Sequence, residues 1–327
     1  MIELREHREI KIPASIRISV EAGKWHVSGA FDDARVQPSE EEIAAWLATF
    51  SQEDLLAATV GVDRGVAIPA CASNGRTFDF SDVQKERMAK KEASARKWQR
   101  RMARRKKGSS NRRKARTRVA ACKGYARRVR QDFAHKTSFA LAQDPATLLI
   151  AVEDLGVKRM TAAPKARRKV SGWARNGAAA KAGLNAAILR SAWGAVKTYA
   201  QYKAARRGKL VVAVPPAHSS QECSQCGHTH PDNRPSQAEF VCQSCGHKDN
   251  ADANASKIIR QRGVRIVLSG ERSKKPAKRI MRMRSKKQLG LEQSEVTPVE
   301  TNISRESAKD FPHPSLKQET PPTPGTG

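Results

Sequence analysis

Thr59-Val60-Gly61-Val62-Asp63-Arg64-Gly65-Val66-Ala67-Ile68 is an apolar strand interrupted by one carboxylate and followed by a glycine. A charge inside a buried strand is costly unless it is paired or binds a metal. Ile68–Ser73 and Arg76–Phe80 continue as strands, joined by Ser73-Asn74-Gly75. The Asn-Gly pair favours a tight hairpin turn. The stretch 59–80 therefore reads as a three-stranded antiparallel meander with Asp63 in its first strand.

Downstream, residues 82–143 read as two long helices broken at Gly108-Ser109-Ser110-Asn111. Between 85 and 130 there are 21 Lys or Arg against two acidic residues, Glu86 and Glu92. A solvated helix face mixes signs; this density repels itself unless phosphates neutralise it. The hairpin is therefore read as nucleic-acid-binding, with Arg100, Arg101, Arg104, Arg105, Arg112 and Arg113 near its bend. Phe133, Phe139 and Leu141 give its second helix a core-facing end.

A second buried strand, Thr147-Leu148-Leu149-Ile150-Ala151-Val152, ends at Glu153-Asp154-Leu155. Residues 158–177 are basic and Gly/Ala-rich, the composition of a mobile loop. Over 178–207, Leu184, Ile188, Leu189, Trp193, Val196 and Tyr199 recur at helical spacing, which predicts one helix with these as core residues. Lys209–Val214 is a strand closed by Pro215-Pro216, and a final helix starts near Asp252 and runs to about Arg262. Upstream, Ile16, Ile18 and Val20 alternate with polar residues, and a turn signal at Glu21-Ala22-Gly23-Lys24 leads into Trp25-His26-Val27, which reads as a hairpin. Residues 39–58 are polar and acidic, a linker or a short helix. After about 270 the chain lacks apolar periodicity and is expected to be disordered.

Cys223-x₂-Cys226 and Cys242-x₂-Cys245, 15 residues apart and each closed by glycine, fit the four-cysteine zinc template. Four thiolates make a closed site, so the expected Zn²⁺ is structural. His228 and His247 hydrogen-bond nearby in this reading, and Cys71 and Cys122 are packing residues.

Three carboxylates stand in suggestive places: Asp63 within a strand, Glu153 at a strand end, and Asp252 opening the last helix. Taken singly, each has a plain alternative: pairing with Arg or Lys, or an N-cap at Asp252. Taken together they suit the converging carboxylates of two-metal phosphodiester cleavage, with Mg²⁺ as the ion that prefers carboxylate and phosphate oxygen. Strand carboxylates plus one on a late helix is the arrangement of an RNase H-like sheet. The expected fold class is thus α/β: an RNase H-like mixed sheet with flanking helices, an inserted four-cysteine zinc ribbon and a short β-rich N-terminal segment.

The totals agree. Lys plus Arg number 62 and Asp plus Glu 32 in 327 residues, a formal charge of +30. Such an excess points to a polyanionic partner and away from a small-molecule substrate. There is no run of 18 apolar residues and no signal-peptide h-region, so a cytoplasmic, nucleoid-associated protein with no membrane partner is expected.

The quoted residues resemble a known family. Gly61-Val62-Asp63-Arg64-Gly65-Val66, Val152-Glu153-Asp154-Leu155, the paired Cys-x₂-Cys knuckles and Asp252-x-Asn254-Ala255-x-Lys257-Ile258-Ile259 are similar to the three RuvC motifs and zinc ribbon of TnpB, the OrfB-type protein of insertion sequences related to type V CRISPR effectors. Lys181-Ala182-Gly183-Leu184-Asn185 and Asn233-Arg234-Pro235-Ser236-Gln237 also match. The resemblance spans about 55–262. It implies an RNA-guided DNA endonuclease of a prokaryotic mobile element, with an element-derived guide RNA and a DNA target as partners. It implies catalytic roles for Asp63, Glu153 and Asp252, and contact of Arg234 with the scissile strand. About 58 residues precede Asp63, where the family carries a longer wedge and recognition region, so an N-terminally truncated chain is expected. The implied organisation is a partial wedge-like β segment and linker at 1–58, a nuclease core at 59–215 containing the basic hairpin (82–143), a zinc ribbon at 216–250, the last core helix at 251–265 and a basic, Pro-rich tail at 266–327. Competing readings are a non-cleaving guide-RNA and DNA binder, a transposase acting directly on element ends, and a ribosome-like structural RNA binder. The last leaves the strand carboxylates unexplained.

Overall fold

A computed structural model describes residues 15–21, 23–30, 37–165, 167–169, 172–174 and 176–271. The chain opens with a hairpin of β1 (Ser15–Glu21) and β2 (Lys24–Ala30), in register from Ser15↔Ala30 to Glu21↔Lys24. Its apolar side chains Ile16, Ile18, Val20, Trp25 and Val27 are all exposed.

Residues 39–58 do more than link. Ser39 and Glu42 form a reciprocal capping box on α1 (Glu40–Leu47), and Ser51 caps α2 (Gln52–Ala57). Both helices enter the core: Ile43, Leu47 and Leu55 are buried. An acidic, polar surface hid an apolar stripe too short to show a period.

The central sheet follows. It holds β3 (Thr59–Asp63), β4 (Ala70–Ala72), β5 (Thr77–Phe78), β6 (Leu149–Glu153) and β9 (Leu210–Val214), in the order β5-β4-β3-β6-β9. The meander β3-β4-β5 is antiparallel, while β3, β6 and β9 run parallel. Between β5 and β6 come α3 (Asp82–Ala103) and α4 (Ser110–Gln143), the basic hairpin. Between β6 and β9 lie α5 (Val157–Met160), the short ladder of β7 (Arg167–Lys169) and β8 (Gly172–Ala174), α6 (Ala178–Arg190) and α7 (Trp193–Ala205). After β9, β10 (Glu239–Val241) and β11 (Lys248–Asn250) pair in the cysteine-rich segment, and α8 (Ala251–Leu268) closes the described fold.

Alternation along the strands sorts the core into two layers. Leu149 and Ala151 of β6 pack with Leu210, Val212, Ile259 and Val264 under α1, α2 and α8. Ile150 and Val152 pack with Val60, Val62, Leu141 and Ala204 under α4 and α7. Glycine sets the distance between α8 and the sheet. A Cβ at Gly61 would run into the backbone of Ser256 and Arg260, and one at Gly263 into the Cβ of Ala151. Two glycines, one on each side, let the helix lie against the strands.

Several expectations need correction. The helix expected over 178–207 is two helices, broken at Ser191-Ala192, where Ala192 has φ 56°. Ile188, Trp193 and Val196 are buried, but Leu184 and Leu189 are exposed, because the break turns α6 away from the layer that α7 joins. Phe139 is exposed with the Arg207 guanidinium over its ring, whereas Phe133 and Leu141 are buried. The stretch 158–177 contains α5 and the β7–β8 ladder rather than loop alone. The last helix extends to Leu268, with Ile266, Val267 and Leu268 in or against the core. The tail expected to be disordered lies, beyond 271, outside the described residues. Among the described residues no helix is long and apolar enough to cross a membrane.

Candidate functional site

The sheet itself brings the carboxylates together. Gly61 and Ala151 are paired in parallel register and both face α8. Two residues on, the same parity puts Asp63 and Glu153 on that face, at the carboxyl ends of adjacent strands. Asp252 sits in the first turn of α8, which Gly61 and Gly263 hold close. Asn250, not Asp252, is the N-cap: its side chain accepts from the amides of Asp252 and Ala253. The Asp252 carboxylate is thereby free of capping.

All three carboxylates line one cavity of about 310 Å³, with Arg234, Ser219 and Trp193. A larger cavity of about 780 Å³, between α3, α4 and α6, contains none of the three. Burial, then the charges of Glu153 and Asp252, push the Asp63 carboxyl up to about 7. Burial also raises Glu153 and Asp252 above the usual carboxylate range, against hydrogen bonding from Ser219 at Glu153 and the Arg234 charge at Asp252. A carboxyl raised by burial and by two neighbouring carboxylates, as Asp63 is, marks a site short of positive charge, and oxygen donors of this kind suit a hard divalent cation.

Nearby side chains hold the site without filling that deficit. Arg64 is buried; it donates from Nη1 to the Trp193 carbonyl at 3.2 Å and from Nη2 to the Glu153 carbonyl. Trp193 Nε1 returns a hydrogen bond to the Gly65 carbonyl at 2.9 Å. The two ties join the ends of β3 and β6 to the start of α7. Ser219 Oγ donates to Glu153 Oε1 at 2.5 Å. Arg234 Nη2 lies 3.5 Å from Asp252 Oδ1 and 2.9 Å from the Gln237 carbonyl. Asp154 pairs with Lys197 at 2.9 Å and is largely exposed. Cys71 pairs with Asp63 across the β3–β4 ladder, and burial pushes its thiol up to about 11. Arg64, Trp193 and Ser219 were missed as site residues. A buried arginine directly after Asp63 was the signal available for the first.

The four cysteines converge. Their sulfurs all lie within 4.8 Å of one another. Cys223 and Cys245 are 3.7 Å apart and Cys226 and Cys242 3.6 Å. A tetrahedron with metal–sulfur bonds of about 2.3 Å has edges of about 3.8 Å. The two knuckles are built alike: Gly227 N donates to Cys223 O and Gly246 N to Cys242 O, with φ of 74° and 71° at these glycines. Amides of Cys245 and Ser244 on its sulfur draw Cys242 down to about 6. The ribbon is bonded to α8 through Asn254, which is fully buried, donates to Glu222 O at 2.7 Å and accepts from Ser224 N at 3.0 Å.

Of the arginines near the hairpin bend, Arg100, Arg101, Arg104, Arg105 and Arg113 are exposed. Arg112 is not a free cation: it donates to the carbonyls of Met102 at 2.8 Å and Arg105 at 3.1 Å, closing the end of α3.

Residues 47–163 match the family described as "Probable transposase" (OrfB_IS605), and residues 193–259 match the "Cas12f1-like, TNB domain". "Putative RNA-guided DNA endonuclease InsQ" of Escherichia coli (strain K12) is 34% identical over 269 residues, 82% of this chain and 61% of that protein. "Putative RNA-guided DNA endonuclease" of Streptomyces pristinaespiralis is 28% identical over 261 residues, 79% of this chain and 55% of that protein. The chain thus spans about three fifths of the length of these relatives. A solved CRISPR-Cas12f ternary complex overlays with a TM-score of 0.42 at 16% identity, covering 75% of this chain and 44% of that one.

Proposed function

The chain is TnpB-like over residues 47–163 and 193–259, and on that premise we propose that it is an RNA-guided, metal-dependent DNA endonuclease of a transposable element. The observation that carries this reading is the convergence of Asp63, Glu153 and Asp252 on one cavity with Arg234 at its rim. The names of its relatives supply the substrate class. In this reading the fold is RNase H-like: an antiparallel meander leading into parallel strands, helices on both faces, and carboxylates at the ends of β3 and β6 and the start of α8.

Asp63, Glu153 and Asp252 would hold the Mg²⁺ ions. Bound there, a pair of such ions supplies the charge stabilisation that phosphodiester hydrolysis needs at the attacking and leaving oxygens. Arg234, released from Asp252 as phosphate arrives, contacts the scissile strand. Arg64 keeps the two strand ends and α7 in register beneath the reacting group. Cys223, Cys226, Cys242 and Cys245 bind a structural Zn²⁺ that fixes the ribbon carrying Arg234. The exposed arginines of α3 and α4 take the sugar-phosphate backbone of the guide RNA and its DNA target, and base pairing reads the sequence.

The test is cleavage of a DNA matched to the co-purified RNA, comparing the native chain with Asp63→Ala. Cleavage that requires both Mg²⁺ and Asp63 is expected. Cleavage undiminished in Asp63→Ala overturns the site assignment. Binding of RNA and DNA with no cleavage by the native chain replaces the reading with that of a non-cleaving binder.

A further inference from the structure

We propose that Ser219 is a positioning residue that sets the rotation of the Glu153 carboxylate for metal binding. The inference rests on the reading of Glu153 as a metal ligand.

Ser219 is 5% exposed and Glu153 6%, so their contact is shielded from water. Ser219 Oγ lies 2.5 Å from Glu153 Oε1 and 3.2 Å from the Pro216 carbonyl. A hydroxyl has one hydrogen to give, and an ionised carboxylate is the stronger acceptor. The proton therefore points at Oε1. One Glu153 oxygen is tied to Ser219, and the other, Oε2, is not held by a protein donor among the described residues. The glutamate backbone is gripped separately, by Arg64 on its carbonyl. Main chain and carboxylate are thus fixed by different residues.

The segment carrying Ser219 is built to hold it. Pro215-Pro216 ends β9, and the chain then turns through His218 at φ 58°, a left-handed conformation that costs a side-chain-bearing residue energy. The His218 carbonyl accepts from the amides of Gln221 at 2.9 Å and Glu222 at 3.0 Å. Arg262 of α8 donates to the carbonyls of Pro215 at 2.7 Å and Ala217 at 2.8 Å, and to the Glu222 carboxylate at 2.5 Å. Ser219 lies four residues before Cys223, so the knuckle and the serine are placed by the same pinned turn. Through Ser219 the folded ribbon fixes the geometry of a carboxylate it does not itself carry. Residues that orient a ligand in this way alter metal affinity about 10- to 100-fold when removed.

The experiment measures Mn²⁺ binding by the full, zinc-loaded chain, by calorimetry and by the Mn²⁺ electron-paramagnetic-resonance signal, for the native protein, Ser219→Ala, Ser219→Thr, Ser219→Val and Glu153→Gln. Thr keeps the hydroxyl and Val has the same shape without it, so their difference isolates the hydrogen bond even where the added methyl disturbs packing. The expected result is Mn²⁺ binding about tenfold or more weaker in Ala and Val, near-native binding in Thr, and unchanged zinc content. Equal affinities for Thr and Val overturn the proposal. Should that occur while Glu153→Gln loses binding, Glu153 remains a ligand and only the role of Ser219 fails. Native-like binding by Glu153→Gln removes the ligand reading and the inference with it.

Discussion

Arg234 Nη2 lies 3.5 Å from Asp252 Oδ1, joining a loop of the cysteine ribbon to the first turn of α8. Both side chains are mostly buried, 26% and 20% exposed. In the proposed reading, this arginine meets a phosphate over the three carboxylates whose cavity it lines. Arg234→Ala should lower the cleavage rate roughly 100-fold, the scale of losing one charge-stabilising donor, with zinc content unchanged. A single-turnover assay reads this directly. A rate within threefold of native would remove Arg234 from the reaction and leave it as a partner of Asp252 alone.

The glycines under α8 give a prediction about stability. Gly263→Ala would press a methyl onto the Cβ of Ala151, and overpacking of this kind costs about 1–3 kcal/mol. Thermal unfolding should fall by a few degrees per kcal/mol. Ala151→Gly removes the obstructing atom, so the double variant should recover most of the loss that Gly263→Ala causes. Additive losses in the double variant would show that the contact does not limit the helix–sheet distance.

Asp63 makes the metal-free protein sensitive to pH. Burial and two neighbouring carboxylates push its folded value up to about 7, whereas an unfolded aspartate titrates near about 3.9. The folded state therefore binds the proton more tightly. Its stabilising effect is complete below about pH 4 and is lost as pH rises through about 7. Without divalent ions, Asp63→Asn should melt roughly 5 °C above the native chain at pH 8 and close to it at pH 4. Mg²⁺ should narrow the gap at pH 8 by neutralising the native site. Superimposed melting curves at pH 8 would refute the charge deficit.

Much of this was legible in the sequence. Asp63 and Glu153 stand out because an apolar strand announces its charged exception, and the paired Cys-x₂-Cys knuckles announce themselves by spacing. What was hidden depends on contacts between distant segments. Ser219 looks like any loop serine until Glu153, 66 residues earlier in the chain, accepts its proton. Ala192 carries no glycine or proline signal for the break between α6 and α7, yet it has φ 56°, and the next residue, Trp193, hydrogen-bonds the Gly65 carbonyl 128 residues earlier. Leu184 keeps helical spacing with Ile188, and Leu189 with Trp193, but spacing cannot say which apolar face finds a partner.

The ribbon should fail as a unit. Cys223 is buried, and its sulfur is 3.7 Å from that of Cys245. Cys223→Ser should bring bound zinc well below one per chain and melt the ribbon, because a structural zinc contributes folding energy there. Cleavage should fall with it, since Arg234 and Ser219 lose their anchor. Elemental analysis with near-ultraviolet circular dichroism checks both. Full zinc content in Cys223→Ser would mean another ligand, such as His228 or His247, completes the site.

The hairpin bend separates arginines that differ in the fold though not in charge. Arg113 is exposed, while its neighbour Arg112 donates to the carbonyls of Met102 in α3 and Arg105 just beyond it, at 2.8 and 3.1 Å. If the exposed set neutralises phosphates, each removed contact should lower the slope of log affinity against log salt by about 0.7–0.9. Arg113→Gln should therefore weaken nucleic-acid binding and flatten that slope by roughly this amount, with no change in melting. Arg112→Gln should leave the slope near native and loosen the bend, seen as faster amide hydrogen exchange over 100–112. Fluorescence anisotropy across a salt series distinguishes the two. Equal flattening by both variants would show that Arg112 leaves its carbonyls to meet phosphate, and no flattening by Arg113→Gln would take the hairpin bend out of the binding surface.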